Sequence, residues 1–209
     1  MPARARFLAL GDSYTIGEGV ARDATWPAQL GTRLAEAGVP VASPDLVAKT
    51  GWSTDELADA IDACKLVAPY ALVTLLVGVN NQYRGRDPDN YRDEFAGLLE
   101  RAIAFAGAEP GRVIVISIPD WGVTPFAGAQ GVDAALTAAA IDAFNAIGHA
   151  VAGSRGTRWV DVTGLSRGIA RDLLAPDGLH PSAGQYAYWV EAIMPEALAA
   201  LRSGASRPG

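Results

Sequence analysis

The sequence predicts an α/β protein, a three-layer α/β/α sandwich built on a five-stranded, parallel, flavodoxin-like sheet. Three observations carry this. Short apolar runs alternate with longer stretches of helical periodicity along almost the whole chain. Each run ends at a turn signal, as expected where a parallel sheet hands the chain to a crossover. And 209 residues with 50% hydrophobic and 19% charged residues suffice for one domain with a sizeable core.

Taken in order, Phe7 to Leu10 reads as the first strand, ending at Gly11. Asp45 to Ala48 is a weaker second, ending near Lys49-Thr50-Gly51. Ala71 to Val77, β-branched and leucine-rich, is a buried third that ends at Gly78. Val113 to Ile118 ends at Pro119-Asp120, and Trp159 to Val162 at Thr163-Gly164. Helices are expected between them. Trp26 to Ala37 has Leu30 and Leu34 on one face, and Thr54 to Val67 has Ser53 or Thr54 as cap with Glu56 close behind. Asp89 to Ala106 repeats Tyr91, Phe95, Leu98, Leu99 and Ala102 at helical spacing. Val132 to Ala152 and Ala183 to Leu201 complete the set. Neither a linker nor an internal repeat interrupts the pattern, so residues 1–202 are expected to form one domain, with a frayed tail over 203–209.

Composition bears on function class. The net charge is −6, and Arg84, Arg86 and Arg92 are interleaved with Asp87, Asp89, Asp93 and Glu94. That is a solvated mixed-charge surface, not the basic stripe of a nucleic-acid binder. Cys64 is the single cysteine, so an intrachain disulfide is impossible, and its apolar helical surroundings predict a small core residue. The apolar run after Arg6 is too short for a signal peptide's hydrophobic region, and no run nears the roughly 18 apolar residues of a membrane span. A cytoplasmic protein with no membrane partner is expected. The acidic surface permits a monomer.

In such sheets ligands bind beyond the carboxyl ends of the strands, so chemistry is sought where the strands end. The first ends in Gly11-Asp12-Ser13-Tyr14-Thr15. Ser13 is well placed as a nucleophile but needs a base to take its proton. With Thr15 in place of glycine this is not the G-x-S-x-G elbow, and Gly-Asp-Ser alone also suits a turn cap. The base candidate lies in Asp177-Gly178-Leu179-His180-Pro181, where a carboxylate three residues before a histidine can reach Nδ1 within one turn. The other histidine, His149, falls inside a helical pattern and reads as structural. Asp12 points away from its neighbour Ser13 on an extended chain and is expected to hold the turn by binding backbone N–H groups. Gly51 and Asn80, past the second and third strands, offer a closely approaching backbone N–H and a side-chain amide, both suited to an oxyanion or to an ordinary turn and cap.

Together these blocks resemble the GDSL/SGNH hydrolases, the lysophospholipase-L1-like esterases. The family's four name residues are Ser, Gly, Asn and His. They match here as Ser13 in Gly-Asp-Ser, Gly51, Asn80 in Gly-Val-Asn, and His180 in Asp-Gly-Leu-His-Pro, in the family's order. The resemblance implies a Ser13, Asp177, His180 triad and an oxyanion hole of Ser13 N–H, Gly51 N–H and the Asn80 side chain. It implies neither cofactor nor metal. One departure is that many members have Asp after Asn80's counterpart, where this chain has Asn81. Gln82-Tyr83-Arg84-Gly85-Arg86 then reads as a subfamily feature.

The expected activity is hydrolysis of small or short-chain acyl esters through an acyl-enzyme on Ser13, falling as His180 protonates, roughly below pH 6–7. Asn81, Tyr83 and Trp121 are candidate substrate contacts, and Trp26, Trp52 and Phe126 are further aromatics expected at or near loops of the same face. An acyltransferase or a carbohydrate deacetylase would use the same triad. A non-catalytic binding module on this fold predicts a damaged catalytic set. A metal-dependent phosphatase or nuclease would need ligand clusters, and Asp120 and Asp161 lie near strand ends without a paired His–carboxylate motif.

Overall fold

A computed structural model describes residues 4–169 and 171–203. The expected tail over 203–209 lies, beyond the backbone of Ser203, outside the described residues. Five strands, β1 (Phe7–Gly11), β2 (Asp45–Ala48), β3 (Leu72–Leu76), β4 (Val113–Ile116) and β5 (Arg158–Val160), form one all-parallel sheet in the order β2-β1-β3-β4-β5. Every residue of β1, β3 and β4 is buried, as apolar runs between two helical layers require.

The helices are α1 (Ser13–Ile16), α2 (Trp26–Glu36), α3 (Thr54–Ala63), α4 (Val79–Tyr83), α5 (Pro88–Phe105), α6 (Pro125–Ala129), α7 (Ala134–Ser154), α8 (Thr163–Arg167) and α9 (Ala183–Ser203). On one side α2 packs against α9, and on the other α5 lies between α3 and α7. The largest fully buried side chains include Trp26, Trp189, Tyr70, Tyr91 and Tyr186.

Register positions the site. Gly11 of β1 lies level with Ala48 of β2 and with Leu76 of β3. The loops after these three strands therefore leave the sheet side by side. The strand order reverses at β1, which is where such sheets open a crevice.

Three expectations need correction. The helix expected over 54–67 stops at Ala63, and Cys64 is its extended C-cap (φ −87°, ψ 145°) and exposed. Ala68 is disfavoured from helix by the following Pro69, and Arg6 Nη1 donates to the Val67 carbonyl, so the chain reaches β3 without a further helical turn. Cys64, expected in the core, leaves the Leu57–Ile61 stripe with the helix that carried it. His149 lies within α7, as the sequence predicts, on its exposed face, with its ring 5.1 Å from that of Trp159. Finally, α7 is long and apolar enough by composition to cross a membrane, because alanines raise its mean hydropathy without a bulky apolar run. Here it packs Ile141, Phe144, Gly148 and Ala152 inward.

Candidate active site

The first strand delivers Ser13 through a tightly fixed turn. Asp12 is the N-cap of α1, and its Oδ1 accepts the Tyr14 N–H at 3.0 Å, the holding role expected from sequence. Ser13 is the first residue of α1, where a backbone N–H has no carbonyl of its own helix to donate to. The Tyr14 carbonyl takes Trp26 Nε1 and Tyr186 Oη, each at 3.1 Å, so the core itself grips the turn. Gly11 admits no side chain: a Cβ there would sit 2.4 Å from the Leu76 carbonyl oxygen and 2.2 Å from Thr15 Oγ1. Asp12 is fully buried, and its Oδ2 has no hydrogen-bond partner. Burial pushes its pKa up to about 7, against the lowering effect of backbone N–H bonds.

The loop before α9 presents the histidine. Asp177 Oδ1 accepts the N–H groups of Leu179 (2.9 Å) and His180 (3.0 Å), leaving Oδ2 for His180 Nδ1 at 2.7 Å. Gly178, at φ +68°, permits the reversal, and its carbonyl accepts the Phe126 N–H at 3.1 Å. Burial alone would raise the Asp177 pKa, but the His180 ring and the two N–H groups together hold it below the usual carboxylate value. The imidazole is nearly buried, with the Tyr14 ring edge-on at 5.6 Å. With Nδ1 engaged by the carboxylate, Nε2 is the nitrogen left to act as a base.

The second and third strands end in two loops that grip each other. Lys49 to Trp52 make a turn closed by Trp52 N–H to Lys49 O at 3.2 Å, with Gly51 third at φ +86°, the type II pattern that calls for glycine. Thr50 Oγ1 donates to Glu18. Asn80, in the first turn of α4, gives one amide hydrogen to the Trp52 carbonyl at 2.9 Å. Its amide carries a second hydrogen.

These parts meet in one cleft of about 200 Å³, lined by Ser13, Gly51, Asn80 and His180 together with Tyr14, Thr50, Val79, Tyr83, Trp121, Phe126 and Leu179. Its lining joins the first four to a largely apolar wall. Tyr83 meets Trp121 edge-on at 5.2 Å, and Trp121 Nε1 donates to Gln82 Oε1 at 2.8 Å. A larger, open groove beside α2, lined by residues such as Arg22, Thr32 and Pro44, contains none of the predicted catalytic residues.

Not every candidate is in the cleft. Asn81, expected as a substrate contact, is fully buried. Its Oδ1 accepts the Thr54 N–H at 3.1 Å and its Nδ2 donates to Thr54 Oγ1 at 2.6 Å. One residue along a helix rotates a side chain by about 100° (3.6 residues per turn), so Asn80 and Asn81 cannot both face the cleft. Trp26 is core, and Trp52 contributes its carbonyl instead of its ring. Asp120 binds Arg167 Nε at 2.8 Å and caps Gly122, while Asp161 holds Ser117 and Thr163. Sequence reasoning missed Thr50, Val79 and Leu179, and the adjacency of each to a named motif residue was the available signal.

The sequence model of the GDSL-like Lipase/Acylhydrolase family matches residues 9–188. No curated protein sequence matches the chain. Among solved structures, TesA is similar at TM-score 0.69 and 23% identity, over 91% of this chain and 97% of that one. AlinE4, an SGNH-hydrolase family esterase, is similar at TM-score 0.68 and 20% identity over 100% of both chains. A variant of Axe2, an acetyl-xylooligosaccharide esterase from Geobacillus Stearmophilus, is similar at TM-score 0.68 and 17% identity, over 93% of this chain and 94% of that one.

Proposed function

The chain belongs to the GDSL-like lipase/acylhydrolase family, and from that premise we propose that it hydrolyses small, short-chain acyl esters through an acyl-enzyme on Ser13. The observation that carries the reading is the 2.7 Å Asp177–His180 pair in a cleft shared with Ser13, Gly51 and Asn80.

In the proposed reaction His180 Nε2 takes the Ser13 hydroxyl proton as Oγ attacks the ester carbonyl. Asp177 holds the ring and stabilises the imidazolium. The negative charge that develops on the carbonyl oxygen is met by the Ser13 and Gly51 N–H groups and the free Asn80 amide hydrogen. The C–O bond then breaks, His180 gives its proton to the departing alkoxide, and the acyl group stays on Ser13. Water enters, loses its proton to His180 and attacks the acyl carbonyl, and collapse of the second tetrahedral intermediate returns the proton to Ser13.

Size and lining favour a short acyl group. About 200 Å³ is below the roughly 300–1,000 Å³ that encloses drug-sized ligands, and Val79, Trp121, Phe126 and Leu179 offer an apolar wall. A carbohydrate deacetylase has one observation in its favour: Tyr83, 55% exposed beside Trp121 at the cleft, is an aromatic surface on which a sugar could stack.

The test is hydrolysis of p-nitrophenyl acetate, butyrate and octanoate, and of a peracetylated xylose, by the wild type and Ser13→Ala. Cleavage of acetate and butyrate well above octanoate, lost in the variant, is expected. Equal cleavage by both proteins contradicts the mechanism, and a preference for octanoate contradicts the short pocket.

A further inference from the structure

We infer that Arg84 is a positioning residue for ester hydrolysis, holding the Gly51 turn so that its N–H stays aimed at the carbonyl under attack. The inference rests on the esterase reading above. Arg84 is the residue just after α4, and its guanidinium reaches back across the gap between the two loops. Nη2 donates to the Gly51 carbonyl at 2.6 Å, while Nη1 donates to Glu56 Oε2 at 2.9 Å and to Ser53 Oγ at 3.2 Å. Glu56 Oε2 also accepts the Ser53 N–H at 2.9 Å, so the anchor belongs to the start of α3.

The geometry matters because of what the turn can otherwise do. In a type II turn the central peptide, here Thr50 C=O and Gly51 N–H, is flipped relative to type I. Rotation of that one peptide would swing the Gly51 N–H away while leaving the rest of the chain in place. Three bonds anchor the groups on either side of that peptide, Thr50 Oγ1 to Glu18, Arg84 to the Gly51 carbonyl and Asn80 to the Trp52 carbonyl, and so hold the turn and its glycine in place against the loop that carries Asn80. Asn80 is itself a proposed oxyanion donor, so Arg84 fixes the separation of the two donors from outside the cleft. Lysine cannot substitute, because a single ammonium lacks the fork that serves Gly51 and Glu56 together.

A merely structural role predicts something different. The Arg84–Glu56 pair is substantially exposed on both sides (39% and 42%), and exposed pairs of this kind contribute little to stability. A large loss of kcat with an almost unchanged melting temperature therefore belongs to positioning alone.

The experiment compares wild type, Arg84→Ala and Arg84→Lys on p-nitrophenyl butyrate, with melting temperature and inhibition by a butyl trifluoromethyl ketone and by butyrate. The ketone forms a tetrahedral oxyanion adduct with the nucleophile, and butyrate does not. Arg84→Ala should lose about 10–100-fold in kcat with KM within about threefold, and the ketone should weaken by a similar factor while butyrate does not. Arg84→Lys, which keeps the charge, should also lose at least about fivefold in kcat, and it carries the test if the alanine variant does not fold. A kcat within twofold of wild type in both variants overturns the inference and leaves the esterase reading standing. So does a loss of kcat that tracks a lowered melting temperature with ketone affinity unchanged. Absence of Ser13-dependent hydrolysis in the wild type overturns the esterase reading itself.

Discussion

Two carboxylates compete for the triad at the residue scale, and their surroundings separate them. Asp177 touches the His180 ring, whereas Asp12 touches the Tyr14 N–H from a fully buried position. Asp177→Asn should lower kcat by roughly 10²–10⁴. Asp12→Asn keeps the acceptor that Tyr14 N–H needs and should leave kcat within a few-fold of wild type. The two acids also act oppositely on stability. Asp12 has a folded pKa of about 7, above its unfolded value, so between about pH 4 and 7 the folded chain retains a proton that the unfolded chain has released. Its contribution to stability therefore falls across that window and is flat above it. Asp177 is held below its unfolded value, so its stabilisation is present above that value and lost as acid protonates it. Urea unfolding at pH 5, 6, 7 and 8 should show Asp12→Asn gaining on wild type as pH rises, by something on the order of 1–4 kcal/mol at pH 8. A constant difference between the two proteins would show that Asp12 ionises normally in the fold. At this scale Ser13, Asp177 and His180 were legible because each motif is local. Asn81 was not, because only the rotation of α4 decides which of two adjacent asparagines faces the cleft.

Among the elements, the strands and long helices followed from sequence because burial enforces their patterns. β2 lies where the sequence predicts it, and Pro88–Phe105 departs by one residue from the expected span at each end. Four short helices, α1, α4, α6 and α8, were missed, since four or five residues carry no measurable periodicity. Three of them hold cleft residues, Ser13 and Tyr14 in α1, Val79, Asn80 and Tyr83 in α4, and Phe126 in α6. The end of α3 was misplaced because the preference of Ala68 before Pro69 acts several residues beyond the break. Beside the exposed Arg84–Glu56 pair, α3 and α4 are joined by the Asn81–Thr54 pair, two hydrogen bonds in a fully buried setting. Asn81→Ala strands the Thr54 N–H without a partner and should cost about 1–3 kcal/mol of stability by chemical denaturation. It should also reduce kcat, since Asn80 sits on the same short helix. Unchanged stability would mean that α3 and α4 are held by other contacts.

For the whole molecule, the cleft is a product of sheet register. Residues 13, 51, 80 and 180 are far apart in sequence, and the level alignment of Gly11, Ala48 and Leu76 brings the first three loops together. Strand order and register arise from long-range packing, so the sequence pointed to a parallel sheet while the β2-β1-β3-β4-β5 order and the gripping of the loops after β2 and β3 emerged only in three dimensions. The central claim is that this convergence makes Ser13 a nucleophile. Its most direct test is a fluorophosphonate, which reacts covalently with an activated serine, followed by peptide mass mapping of the wild type and His180→Ala. We expect one adduct, on Ser13, formed by the wild type and largely lost in the variant. An adduct on another residue, or an esterase-active protein that takes none on Ser13, would contradict the account.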